Sequence, residues 1–153
     1  NTSLSWKGFD VSAIFAYSIG GYIYNRDITM ILHNGSLEGR DWSTEILKRW
    51  TPDNRYTDVP ALSTTSNNWN SASTRFLQNN SYMRLKNLTL SYNLPKQWIS
   101  KLSLSSVQVY VQGDNLFTIH RNQGLDPEQG ITGITYYRYP AMRTISGGIN
   151  VSF

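Results

Sequence analysis

Cysteine is absent from the 153 residues of this chain, and charged residues make up only 16% of them. The absence of cysteine excludes a disulfide framework, a cysteine-ligated zinc site and a thiol nucleophile. An ordinary soluble domain carries about 25% charged residues, so lysine and glutamate are scarce here. Asparagine, serine, threonine, glutamine and tyrosine supply most of the polarity, and the composition therefore indicates an unusual surface rather than an unusual core.

Long hydrophobic runs are also missing from the chain. The longest uninterrupted apolar stretch, 13–17, is far shorter than the ~18 residues that a membrane-spanning helix needs. A helical membrane protein is therefore excluded, whereas a membrane barrel is not, because the lipid-facing residues of a barrel strand alternate with polar ones. Residues 1–6 contain no methionine, basic segment or apolar core, so we expect no signal peptide in this sequence.

Apolar and polar residues alternate with a period of two, the pattern of strands whose two faces meet different surroundings. The alternation is clearest in 9–19, where Phe9, Val11, Phe15 and Tyr17 occupy odd positions between mostly polar neighbours. We expect these odd positions to face outward. The pattern predicts five strands, at about 2–6, 9–20, 82–94, 104–119 and 142–153.

Helical signals are weak by comparison. Residues 41–50 could form about two turns, with Asp41 or Ser43 as the N-cap and Pro52 beyond the end. Residues 95–99 could form a single turn. Because neither segment is long enough to connect parallel strands, we predict an all-β fold with antiparallel pairing.

The connections between the predicted strands alternate in length. Lys7–Gly8 and 95–103 are short, whereas 21–81 and 120–141 are long and rich in Asn, Ser, Thr, Trp and Tyr. Outer-membrane barrels have short periplasmic turns and long extracellular loops, so the rhythm favours part of a large transmembrane β-barrel. A soluble β-sandwich also alternates, because one face packs and the other is wet. A soluble carbohydrate-binding module is therefore the alternative.

The chain carries recognisable motifs along nearly its whole length, at 7–12, 49–54, 75–95, 109–118, 124–128 and 139–153. Together these motifs resemble one family, the SusC/RagA type of TonB-linked outer-membrane transporter. The resemblance implies that residues 1–153 are a C-terminal fragment of the β-barrel domain in a bacterial outer membrane. The plug, the TonB box and most of the barrel wall would then lie outside this sequence.

The same resemblance implies a set of partners and a class of cargo. Such transporters work with a SusD-like surface lipoprotein that closes over the barrel as a lid, and they are driven by TonB. They import glycans or peptides, so an oligosaccharide or peptide substrate and outer-membrane lipid are the expected partners. Lys and Arg are scattered rather than clustered, which argues against nucleic acid.

No residue constellation indicates an enzyme, a metal or a cofactor. The two histidines, His33 and His120, lack the spacing of a metal or catalytic motif, and we interpret both as solvated polar residues. The carboxylate pairs Asp53 with Asp58 and Asp126 with Glu128 lie among turn-forming residues, so we assign them to turns. The glycine pairs at 20–21 and 147–148 are interpreted as bends or close strand contacts.

One aromatic and polar stretch has a functional interpretation. Its residue types stack on sugars and bind hydroxyl or peptide groups, so we select as candidate substrate or lid contacts Trp42, Trp50, Tyr56, Asn67, Asn68, Trp69 and Asn70. The alternative is that these side chains only hold the loop to itself or to its neighbours. Phe153 ends the odd, apolar phase of the last strand, and we expect it to act as an assembly signal for membrane insertion.

Overall fold

The computed structural model describes residues 1–35, 37, 39–65, 71–102, 104–122, 124, 126–128, 132–135 and 138–153. The chain divides into two compact units. The first unit comprises 1–20, 80–122 and 140–153, and the second comprises 21–79 and 123–139.

Strands dominate the described part of the chain. They are β1 (Thr2–Trp6), β2 (Phe9–Ser18), β3 (Tyr22–Asn25), β4 (Leu77–Asn79), β5 (Tyr82–Asn93), β6 (Ser106–His120), β7 (Ile134–Thr135) and β8 (Thr144–Ser152). The α-helices are α1 (Arg26–Ile31) and α2 (Lys96–Ile99). Single 3₁₀ turns lie at Thr44–Lys48, Thr74–Phe76 and Ser100–Leu102. None of the helices in these described ranges is both long and apolar enough to cross a bilayer.

The first unit is a five-stranded sheet in the order β1-β2-β5-β6-β8, and every neighbouring pair is antiparallel. The predicted all-β, antiparallel architecture is confirmed for this unit. The β1–β2 hairpin turns at Lys7 and Gly8, which have φ angles of 47° and 88°. Positive φ at both central positions is the hairpin turn that matches the twist of the flanking strands, and glycine adopts it without strain.

Both long connections leave the same end of this sheet. Ser18 pairs with Tyr82, and Tyr82 pairs with His120. The end of β2, the start of β5 and the end of β6 therefore lie together at one end of the sheet. The Lys7–Gly8 turn and the connection from β5 to β6 lie at the opposite end. The short connections thus lie at one end of the sheet and the long ones at the other, as the alternating lengths of the predicted connections indicate.

A β-bulge interrupts the regular pairing of β5 with its neighbours. Asn87 pairs with Asp114 and Leu85 pairs with Phe117, so Lys86 lies opposite two residues of β6. Asn115 has a φ of 52° there, a left-handed conformation that asparagine tolerates better than most residues, and its side chain donates to Met142 O at 3.2 Å. The bulge increases the local twist without reversing the faces of the strands beyond it.

The second unit corrects the expectation that 21–81 and 120–141 are loops without their own sheet. It contains a three-stranded sheet in the order β4-β3-β7, in which β3 and β7 are parallel. Its apolar core is built from Ile23, Ile46, Val59 and Phe76. These strands have two to four residues, too few for a period of two to be recognised in the sequence.

Short capped turns connect the elements of this second unit. The predicted helix at 41–50 is a shorter 3₁₀ turn, Thr44–Lys48, and Ser43 Oγ accepts from the Glu45 N–H at its start. Asn25 caps α1 by accepting from the Ile28 N–H at 3.1 Å. These bonds satisfy amide groups that a helix start leaves unpaired.

Candidate membrane-facing and interior-facing surfaces

Cross-strand pairing gives the five-stranded sheet two chemically different faces. Side chains of directly paired residues lie on the same face of a sheet. Val11 pairs with both Leu4 and Leu90, and Leu90 pairs with Val111, so the apolar positions of four strands form one row. The parallel rows on this face, which we call the apolar face, are Trp6–Phe9–Tyr92–Val109–Ile149, Phe15–Leu85–Phe117 and Tyr17–Met83–Ile119.

The apolar face is largely uncovered. Most of its large side chains remain exposed, and Ile145 reaches 71%, whereas Leu85 is buried between Phe15 and Phe117. A soluble domain rarely exposes so extensive an apolar patch, and in a β-sandwich this face would be the buried core. The exposure is therefore evidence against the soluble-module alternative.

The height of the apolar face matches a bilayer. Val107 and Ile119 delimit its apolar row positions on β6, the longest strand of the sheet. Roughly 12 residue steps at ~3.3 Å give about 40 Å along the strand, or about 28 Å of height at a tilt near 45°. Outer-membrane barrels carry an outward apolar band of about 25 Å.

Aromatic side chains concentrate toward the two ends of the apolar face. At the short-connection end, the Phe9 and Tyr92 rings lie 4.5 Å apart beside Trp6. Phe15 and Phe117 lie toward the long-connection end, and the rows between them are mainly aliphatic. Aromatic girdles flanking an aliphatic band are typical of the lipid-exposed surface of a membrane barrel.

The opposite face, which we call the polar face, is held together by hydrogen bonds between side chains. Asn87 Nδ2 donates to Asp114 Oδ1 at 2.7 Å, and Thr89 Oγ1 donates to Asn87 Oδ1 at 3.0 Å. Gln112 Nε2 reaches the same Asp114 carboxylate at 3.2 Å. The carboxylate is thus surrounded by amide donors rather than paired with a cation.

Two further clusters repeat this arrangement across other strands. Asp10 accepts from Ser5 Oγ and, at 2.6 Å, from Asn93 Nδ2. In the other cluster the Gln108 side chain links Ser91 to Asn150, with bonds of 3.3 Å and 3.2 Å. Because amide and hydroxyl groups can hydrogen-bond to water as well as to one another, this face suits the lining of a solvated interior.

Arg84 is the buried cation of the polar face. Its Nε donates to Thr118 Oγ1 at 2.8 Å, and the residue is almost fully buried.

Gly148 pairs with Tyr110, and a Cβ on Gly148 would lie only 2.7 Å from Tyr110 Oη. The tyrosine ring therefore lies against the glycine backbone, which confirms the close strand contact predicted for the 147–148 pair.

The candidate contact residues of the loops have different surroundings. Trp42 is partly exposed and meets the His33 ring edge-on, with centroids 5.2 Å apart. Trp50 is equally exposed, and its backbone N–H donates to Val59 O at 2.7 Å. Tyr56 is fully exposed. The other candidates, Asn67, Asn68, Trp69 and Asn70, lie outside the described residues.

The interpretation of His33 as solvated is wrong. His33 is fully buried, and neither ring nitrogen has a hydrogen-bond partner among the described residues. Its packing against Trp42 is a tertiary contact that local composition did not reveal. His120 is exposed as expected, with Nδ1 2.9 Å from Asn122 O. Within the described ranges, no group of three acidic or histidine residues could hold a metal ion.

The carboxylates assigned to turns have structural roles. Asp126 Oδ1 accepts from the Glu128 N–H at 2.9 Å, which closes a local turn. Asp58 lies 4.0 Å from Arg75, whose guanidinium also donates to the Asp58 carbonyl. Partial burial lowers the pKa of Arg75 below its ordinary value, and the Asp58 charge opposes that shift.

Phe153 follows β8 and is almost fully exposed. Ser152 pairs with Ser106, so Phe153 lies at the short-connection end of the sheet. The exposure leaves the ring available for an external contact, and the assignment as an assembly signal stays a prediction.

Charge substitution at paired positions distinguishes the two faces. In the full-length protein, Val11→Arg should destabilise the folded barrel by about 2–4 kcal/mol, because a guanidinium would enter the lipid-exposed band. Ser12→Arg, one residue along on the polar face, should change stability by less than about 1 kcal/mol. Denaturant titration of the two variants in lipid vesicles measures both values. Equal costs at the two positions would contradict the assignment of the faces.

Comparison with known proteins identifies the architecture from which this sheet comes. No family model matches the chain. Two TonB-dependent receptors of Formosa agariphila, P3 and P26, are 34% and 30% identical to it over 100% and 99% of its length. The TonB-dependent receptor SusC of Bacteroides thetaiotaomicron is 28% identical over 99%. The chain spans 16% of each Formosa receptor and 14% of SusC.

Solved structures agree with these sequences. The RagAB peptide transporter matches with a TM-score of 0.85 and 36% identity over 97% of this chain and 16% of its own. The RagAB peptide importer in its closed-closed and open-open states matches with TM-scores of 0.84 and 0.84, both at 34% identity. These relatives are receptors and importers rather than enzymes. The open antiparallel sheet, with one apolar and one polar face, matches part of the barrel wall of these proteins. The chain therefore belongs to the SusC/RagA type of TonB-dependent receptor.

Proposed function

We propose that this chain supplies part of the wall and the extracellular loops of an outer-membrane transporter that imports oligosaccharides or peptides. The observation that carries the proposal is the two-faced sheet, with its exposed apolar face and its hydrogen-bonded polar face. A wall segment must present hydrocarbon to lipid and hydrogen-bonding groups to a solvated passage.

The orientation proposed here follows from the lengths of the connections. The Lys7–Gly8 turn and the connection from β5 to β6 would face the periplasm, and the long connections 21–81 and 120–141 would be extracellular. Extracellular loops of such barrels are long, whereas periplasmic turns are short. The polar composition of 21–81 supports this orientation.

The proposed partners are a SusD-like surface lipoprotein, as a lid, and TonB, reached through other parts of the full-length protein. Support for the lid comes from the relatives, because the RagAB peptide importer was solved in a closed-closed and an open-open state. This chain matches both states with the same TM-score of 0.84. The fold of this chain is thus matched equally closely by both states.

Substrate contact within this chain is proposed for the exposed aromatic residues of the second unit. Tyr56 is the candidate that is easiest to test, because its ring is fully exposed and its removal should not disturb the packing of the loop. Trp42 and Trp50 are partly buried, so their truncation would disturb the loop as well as any ligand. The amide side chains at 67, 68 and 70 would add hydrogen bonds to sugar or peptide groups.

Uptake measurements test the proposed function. Cells carrying the full-length protein should accumulate labelled oligosaccharide or peptide, and cells without it should not. Tyr56→Ala should weaken substrate binding about fivefold or more, the loss of ~1 kcal/mol expected for an aromatic contact. Tyr139→Ala is the matched control, because Tyr139 is equally exposed and is not a candidate contact. Equal uptake with and without the protein would contradict the proposed function.

Phe153 is proposed to act in assembly rather than in substrate binding. The last strand of a barrel has an unpaired edge until closure, and an exposed edge is a template for strand addition. Deleting Phe153 from the full-length protein should lower its abundance in the outer membrane, measured by quantitative blotting of membrane fractions. Uptake per assembled molecule should stay unchanged. Normal abundance with weakened substrate binding would reverse the assignment.

A further inference from the structure

The short-connection end of the five-stranded sheet combines cationic and aromatic side chains. Lys7 lies in the β1–β2 turn, and Lys96 and Lys101 lie in the connection from β5 to β6. Trp6 and Trp98 are each 65% exposed at the same end. We call these five residues the basic rim.

Backbone hydrogen bonds bring the two short connections together. The Asn93 N–H donates to Gly8 O at 2.8 Å, which places the Lys7–Gly8 turn beside the end of β5. The Leu94 N–H donates to Val107 O at 2.9 Å and holds the start of the second connection against β6. Ile99 is buried, so α2 is anchored to its own unit while the neighbouring Trp98 stays exposed.

Acidic side chains are absent from the two sequence segments that carry the basic rim. Residues 1–8 and 94–106 contain no aspartate or glutamate. The nearest carboxylate in the sequence, Asp10, is engaged by Ser5 and Asn93 on the polar face. Among the described residues, the ion pairs lie elsewhere, at Lys48 with Glu45 and at Arg75 with Asp58.

The position of Trp6 puts this charge at the edge of the apolar face. Trp6 pairs with Phe9, so it belongs to the outward aromatic row, and Lys7 Nζ lies 4.9 Å from the Trp6 ring centroid. Tryptophan side chains at membrane surfaces sit at the level of the lipid head groups. The Lys7 ammonium is thus held at head-group height, outside the polar face.

We propose that the basic rim binds the phosphate groups of anionic glycerophospholipids in the adjoining leaflet. Trp6 joins the rim to the apolar face, so the acyl chains of a bound lipid would lie along the aliphatic rows while its phosphate meets the lysines. The exposed Trp6 and Trp98 rings suit a partner that brings apolar chains as well as negative charge. The proposal depends on the sheet being embedded in a bilayer and not on the substrate that is imported.

Competition between two phospholipids tests the proposal. The full-length protein, purified in detergent, is mixed with equimolar phosphatidylglycerol and phosphatidylcholine, and native mass spectrometry counts the lipids retained. The unmodified protein should prefer phosphatidylglycerol, more strongly at low salt. Replacing Lys7 by Asn and Lys96 and Lys101 by Gln should reduce that preference about fivefold per lysine. Asparagine is chosen at position 7 because it tolerates the positive φ there.

Matched variants separate charge from folding. Replacing the same three lysines by arginine should retain the preference, and Lys48→Gln, in the second unit, should leave it unchanged. Heat-modifiable migration on gels reports whether each variant keeps a folded barrel. The proposal is overturned by an equal preference in the neutral triple variant, by a loss in the arginine variant, or by a loss with Lys48→Gln. Tighter binding to purified peptidoglycan than to phosphatidylglycerol vesicles would assign the rim to the cell wall instead.

Discussion

The register of strand pairing is the constraint on which the structure depends. Because directly paired residues share a face, a period of two in each strand becomes a property of the whole sheet only when the strands are correctly aligned. The row from Leu4 through Val11 and Leu90 to Val111 shows that alignment. A slip of one residue in any strand would place its polar residues on the apolar face, so the register keeps the two faces distinct.

The polar side chains of the polar face need hydrogen-bond partners and must also remain accessible to water. Three side-chain clusters accomplish this by linking residues of neighbouring strands, and each combines amides with hydroxyls or a carboxylate. The bulge at Asn115 bends the sheet while Leu85 and Phe117 remain on the apolar face. Twist is therefore introduced locally, and the separation of the faces persists along β6.

The sequence predicted the large sheet well and the second unit poorly, for one physical reason. Alternation over the ten residues of β2, and over 88–94 beyond the bulge of β5, is a strong local signal, because every second side chain faces the same environment. The strands β3, β4 and β7 are too short to carry it, and their pairing depends on residues distant in the chain. His33 illustrates the same limit, since its burial comes from tertiary packing against Trp42.

Site-directed spin labelling along β2 is the most direct test of the central claim, that one face meets lipid and the other a solvated interior. The chain has no cysteine, so single cysteines can be placed at successive positions from 9 to 18 once any elsewhere in the full-length protein are replaced. In lipid vesicles, labels at odd positions should collide mainly with oxygen, and labels at even positions mainly with a water-soluble nickel chelate. Accessibilities without a period of two, or with the two phases exchanged, would contradict the account.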